Sequence, residues 1–165
     1  MHEWFQTVLN IALLRAGPQD LPASAGSLAL ALTAFTGIVI VSGLLGQRST
    51  GPADLLVSIG LPMLAAAVVL GLRGRPARFN QTVAALFGSG ALISLVNLPL
   101  WLYGATPIPS ALILLALAGL FWSLAVDGHI WRNALECSFA AGLAVAVAIL
   151  FAQLFSFQAL GPLGP

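Results

Sequence analysis

Five ionisable side chains, Asp127, His129, Arg132, Glu136 and Cys137, fall within eleven positions of this chain. On a helix Arg132 and Glu136 stand four apart on one face, with His129 three residues before Arg132, so the spacing predicts an ion pair at a helix mouth. A metal would need at least three converging ligands, and His129, Glu136 and Cys137 match no zinc-binding spacing. No metal is expected, and a partner or lipid headgroup is the other candidate for His129, Arg132 and Glu136. A second group is Arg73-Gly74-Arg75-Pro76-Ala77-Arg78. Its three guanidinium groups suit anionic headgroups or an acidic partner, each contributing about 1 kcal/mol near a charged leaflet; the same three arginines also serve simply to set topology. The third group is Asn97 with Pro99, preceded by Asn80, Gln81 and Thr82. An amide beside a proline marks either a broken helix lining a polar path, with Gln153 as a second member, or an ordinary interhelical hydrogen bond and kink. No nucleophile elbow, His-Glu-x-x-His, phosphate-binding glycine loop or paired carboxylates occur. The expectation is a protein without enzymatic activity, catalytic residues or cofactor.

These residues must be positioned by a chain of 165 residues that is 59% hydrophobic and 7% charged, with a mean hydropathy of +1.01. Soluble domains carry roughly 25% charged residues. Six Arg, no Lys and five Asp plus Glu leave no basic face for nucleic acid, and the single Cys137 has no intrachain disulfide partner. The solvent implied is lipid, in which each crossing needs a helix of about 20 apolar residues. Uncharged runs at 24–46, 54–72, 79–103, 109–126 and 130–157 give five such helices, the second bent by Pro62. The fold class is therefore all-α integral membrane, with a five-helix domain over 24–165.

Residues 1–23 form a separate cytoplasmic lead. Trp4, Phe5, Val8, Ile11 and Ala12 share one side of a helical wheel, opposite Glu3, Gln6, Thr7 and Asn10, as in an amphipathic helix lying in the headgroups with Trp4 and Phe5 as anchors. Small residues should provide the packing seams. Ala140, Ala144, Ala148 and Ala152 repeat every four residues, and Ala84 and Gly88 do the same in the third span, which predicts that the third and fifth spans form the central pair. With five spans, Arg15, Arg73, Arg75, Arg78 and Arg132 lie on one side and Arg48 on the other, placing the N-terminus in the cytoplasm and the C-terminus in the periplasm. None of the charged residues needs to lie near mid-bilayer, which speaks against acid-base chemistry within the membrane.

The order of parts resembles the Yip1-domain superfamily of small five-span membrane proteins, in its bacterial type. The resemblance rests on Leu13-Leu14-Arg15-Ala16-Gly17-Pro18-Gln19-Asp20-Leu21-Pro22, on Arg78-Phe79-Asn80-Gln81-Thr82-Val83-Ala84-Ala85-Leu86 with Leu98-Pro99, and on His129-Ile130-Trp131-Arg132-Asn133-Ala134-Leu135-Glu136. It implies an integral membrane protein that acts through helix-mediated partners. The Ala-rich, Lys-free composition points to a GC-rich bacterial genome and hence to a bacterial inner membrane. The expected function is that of an interaction, assembly or accessory subunit, associating with itself or another membrane protein and with anionic lipid. The alternatives are a small transporter or channel with a polar path near Asn97, and an anionic-lipid-binding protein.

Overall fold

Backbone polar groups in hydrocarbon must bond within their own segment, and this sequence answers with helices. The computed structural model describes residues 2–45, 51–99 and 109–159, and among these there are helices and no strands. A lead helix α1 (His2–Ala12) is followed by α2 (Ala25–Leu45), α3 (Pro52–Leu72), α4 (Phe79–Val96), α5 (Ser110–Leu135) and α6 (Phe139–Ala159). The five helices after α1 are each long and apolar enough to cross a membrane. This is a multi-pass helical-bundle membrane protein.

Two helix ends differ from the expected boundaries. The fourth helix does not stop at 126, nor does the fifth begin at 130: α5 runs through Asp127-Gly128-His129 to Leu135. Glycine and charge in that tripeptide resemble a loop, yet the turn forms at 136–138. There Glu136 adopts the left-handed conformation (φ 50°), and the Cys137 N–H closes the turn onto the Arg132 carbonyl at 3.1 Å, a common helix stop. Ser138 then accepts the Ala141 N–H at 3.3 Å and caps α6. The third span, expected over 79–103, is helical to Val96, with Asn97 at its C-cap; residues 100–103 lie outside the described set. Pro62 does not break α3. It cannot donate to Ser58 and crowds that carbonyl, and the helix absorbs this by widening into a π segment over Leu56–Gly60.

Helix α4 is the centre of the bundle, burying Thr82, Val83, Ala84, Ala85, Phe87, Gly88, Ser89 and Ala91. The expected pairing of the third span with the fifth is not what organises it. The most extensive contacts are α2 on α4 and α5 on α6, and α3 touches both α4 and α6, so that α3, α4, α5 and α6 close a ring with α2 outside it. α6 meets α5 through Gly142 and Leu143, while Ala140, Ala144, Ala148 and Ala152 face outward. A Cβ on Gly142 would lie 2.4 Å from the Gly128 carbonyl oxygen and 2.6 Å from the Arg132 nitrogen. The two backbones therefore touch at this crossing, an approach only small residues permit. Leu114, Leu115 and Leu117 of α5 are exposed, as expected of a lipid face.

The lead helix is held more firmly than a surface anchor. Val8, Ile11 and Ala12 are buried, Val8 sits against the space left by Gly88 of α4, and the Trp4 indole N–H donates to Ser27 Oγ at 2.8 Å. Trp4 is thus turned into the protein rather than into headgroups. Phe5, Leu9 and Leu13, spaced four apart, remain 51%, 41% and 42% exposed and supply the lipid-facing stripe. The helix consequently has a protein face, a lipid face and a polar face bearing Glu3, Gln6 and Asn10.

Candidate functional site

A cavity of about 410 Å³ lies inside the ring of α3, α4, α5 and α6. Each helix contributes one face at helical spacing. From α5 come Ala116, Gly119, Leu120, Ser123, Leu124, Asp127 and Trp131; from α4, Leu86, Phe87, Gly90, Ile93 and Ser94 with Asn97 at its end; from α6, Ala146, Ile149, Leu150 and Gln153; from α3, Ser58 and Pro62. Phe35 of α2 reaches the wall edge-on to Phe87, with ring centroids 5.0 Å apart. Most of this lining is apolar, and the polar groups are a single carboxylate, two amides and three hydroxyls.

Asp127 is the group that alters the reading. Asp127 stands inside α5 rather than in a loop between 126 and 130, eight residues and so about 12 Å before the helix end at Leu135. No hydrogen bond or ion pair to its carboxylate forms among the described residues. Ser123, one turn away on the same face, is its nearest polar neighbour along the helix. Ionisable groups at such positions are expensive and commonly mark function.

Asn97 and Gln153 meet in this cavity, so the two residues proposed for a polar path do share one compartment. Asn97 is seated by Gly119, where an added Cβ would come within 2.6 Å of its amide atoms. Asn80 and Gln81, at the start of the third span, do not join them. The Asn80 amide donates to the Ala23 carbonyl at 3.3 Å, and the Gln81 amide donates to the carbonyls of Leu21 at 2.7 Å and Gln19 at 3.3 Å. Both tie down the segment after α1.

The arginine-rich end holds a different arrangement from the one expected. Arg132 and Glu136 do not pair, because the left-handed turn at Glu136 swings its carboxylate off the α5 face. Glu136 instead accepts from Arg75 Nη2 at 2.5 Å and from Arg78 Nη2. Arg78 Nη1 also donates to the carbonyls of Asn133 and Ala134 at 3.2 and 3.0 Å, satisfying groups orphaned at the helix end. Hydrogen bonds from Arg75 and Arg78 hold the Glu136 carboxyl down at about 2, and the bond to Glu136 raises Arg75 in return. Two of the three loop arginines are therefore engaged, leaving Arg73 and Arg132 exposed. That weakens the case for a three-arginine lipid site.

His129 belongs to neither group. Its Nε2 lies 3.0 Å from the Ala16 carbonyl oxygen and 3.2 Å from the Asn133 Nδ2; Asn133 Nδ2 also donates to the His129 carbonyl at 2.8 Å. One helical face up, the Trp122 indole N–H donates to the Ala12 carbonyl at 3.0 Å. α5 thus presents Trp122 and His129 to the lead and Ser123 and Asp127 to the cavity. Among the described residues no group of three His, Cys, Asp or Glu side chains is placed to hold a metal. Asp127 was legible only through its register: Ser123, Asp127 and Trp131 stand four apart, which is visible once 110–135 is taken as one helix. The chain matches no family model, no curated protein and no solved structure.

Proposed function

We propose that this bundle binds a small polar solute within the membrane and passes it across, as a non-enzymatic transport-type protein. The observation that carries this is the convergence of Asp127, Asn97 and Gln153, from three helices, on one cavity. A carboxylate, amides and hydroxyls set among apolar walls are what a membrane binding site needs: a few orienting polar groups and a dry surround. The test is solvent access. In a Cys137→Ser background, Ser123→Cys and Ser94→Cys should react with a membrane-impermeant thiol reagent, and from either side of sealed vesicles. Leu114→Cys, on the lipid face, should not react. If Ser123→Cys and Ser94→Cys resist the reagent from both sides, the proposal fails.

The setting is part of the same proposal: a bacterial inner membrane, N-terminus inside and C-terminus outside, and kinship with Yip1-like proteins. What supports the orientation is that Arg15, Arg73, Arg75, Arg78 and Arg132 all belong to segments at one end of the bundle. What supports the kinship is the order of an amphipathic lead and five spans. A second reading, the interaction or accessory subunit, is favoured by the outward face of Ala140, Ala144, Ala148 and Ala152. Disulfide trapping of Ala144→Cys in native membranes tests it; a wholly monomeric product counts against it.

A further inference from the structure

We infer that the cavity's occupant is a monovalent organic cation, an ammonium group on an apolar body, with Asp127 as the residue that receives the charge. This rests on the solute-binding reading above and adds the chemical class. A carboxylate set among apolar walls is neutralised either by taking up a proton or by a cationic partner. Within the cavity there is none to do it: no arginine lines the walls, the chain has no lysine, and Arg75 and Arg78 are committed to Glu136 at the end of the bundle. A countercharge for the ionised carboxylate therefore has to enter with the occupant, and one carboxylate calls for one positive charge.

Three features separate an organic cation from a bare metal ion. A hard cation needs a shell of some six or more oxygens to replace its water, whereas the α5 face offers Asp127 and the Ser123 hydroxyl one turn away. The volume, about 410 Å³, is in the range of organic ligand sites and far exceeds what a single ion fills. The cavity walls carry aromatic rings, with Trp131 one turn along α5 from Asp127 and the Phe35–Phe87 pair contributed by α2 and α4; ring faces attract ammonium groups and disfavour anions. Leu86, Leu120, Leu124 and Ile149 would cover the apolar body. Gln153, about four turns along α6 from the turn at 136–138, and Asn97, seated against Gly119 of α5, would meet a hydrogen-bonding group at its far end.

The experiment uses the full chain in lipid nanodiscs and follows its thermal unfolding by tryptophan fluorescence with three probes: phenethylammonium chloride, neutral 2-phenylethanol, and sodium chloride at equal ionic strength. Phenethylammonium should raise Tm in a saturable way, while the alcohol and sodium chloride do not. Asp127→Asn should weaken the phenethylammonium response at least about tenfold, the loss expected when a charge-assisted contact is removed. An equal response to the alcohol overturns the cationic assignment, and so does an Asp127→Asn variant that keeps the full response. The comparison of probes on the unaltered protein decides the matter even if that variant does not fold. Silence in all arms while Ser123→Cys still reacts with the aqueous reagent overturns the ligand class alone; silence together with an unreactive Ser123→Cys overturns the cavity reading itself.

Discussion

Replacing Gly142 by alanine tests the geometry that shapes the cavity floor. The added methyl would stand 2.4 Å from the Gly128 oxygen and 2.6 Å from the Arg132 nitrogen, both main-chain atoms that no rotamer change can move, whereas ordinary contact begins near 3.4 Å. α5 and α6 must therefore part by about 1 Å at the crossing. Overpacking of this kind costs about 1–3 kcal/mol, set against a helix-propensity gain of at most about 1 kcal/mol for alanine over glycine, so a net loss of about 1–2 kcal/mol is expected. Gly37→Ala is the control, since its Cβ would meet nothing within 4 Å; it should be neutral or slightly stabilising. Unfolding both variants by SDS titration in mixed micelles, with tryptophan fluorescence as readout, should separate them by the overpacking cost, about 1–3 kcal/mol. If Gly142→Ala unfolds with the control, within about 0.5 kcal/mol, the helices do not touch as described. Because Ala146 lies one turn beyond Gly142 and lines the cavity, the same substitution should also raise the thiol reactivity of Ser123→Cys.

Glu136 gives a pH prediction with a definite sign. Its carboxyl is held below its ordinary 4.5, at about 2, so the folded clasp binds the ionised form; its contribution is complete above about 4.5 and fades as pH falls toward about 2. Spin labels on Ala77→Cys and native Cys137 should keep a narrow distance distribution from neutral pH down to 5 and broaden below 4.5. Glu136→Gln should broaden it at all pH values; a narrow distribution at pH 7 in that variant refutes the clasp. Trp122→Phe removes the bond to the Ala12 carbonyl and should cost about 1 kcal/mol locally. Amide exchange in the segment 12–16 should then quicken about fivefold, and unchanged exchange counts against the docking. Asn97→Leu should leave folding intact but block the reaction of Ser94→Cys from the far side.

Much of the fold could be read from the sequence because hydrocarbon imposes one solution on an uncharged run of this length. The spans at 24–46 and 54–72 match Ala25–Leu45 and Pro52–Leu72 within two residues. The fourth and fifth boundaries could not be read so well, since Asp127-Gly128-His129 carries local loop chemistry that tertiary packing overrides: Gly128 is used for backbone contact with α6, and His129 for docking the lead. The actual turn rests on a glutamate in a conformation usually left to glycine, which no composition rule anticipates. Asn97 and Gln153 were visible as polar residues in apolar runs. Asp127 was visible too, but only as a member of a cluster at the membrane surface. Ending the fourth helix nine residues early placed the carboxylate in a loop instead of inside α5.

The clasp between the 73–78 loop and Glu136 also bears on how the chain is made. Arg75 and Glu136 are 61 positions apart and Arg78 and Glu136 are 58, while the lead's carbonyls at Ala12 and Ala16 wait for Trp122 and His129, 110 and 113 positions later. None of these bonds can exist until the ribosome has delivered α5, so until then the lead helix has only its contacts with α2 and α4, at Ser27 and Gly88, and the arginine loop lacks Glu136. Their closure marks the moment at which membrane insertion has passed the fourth span.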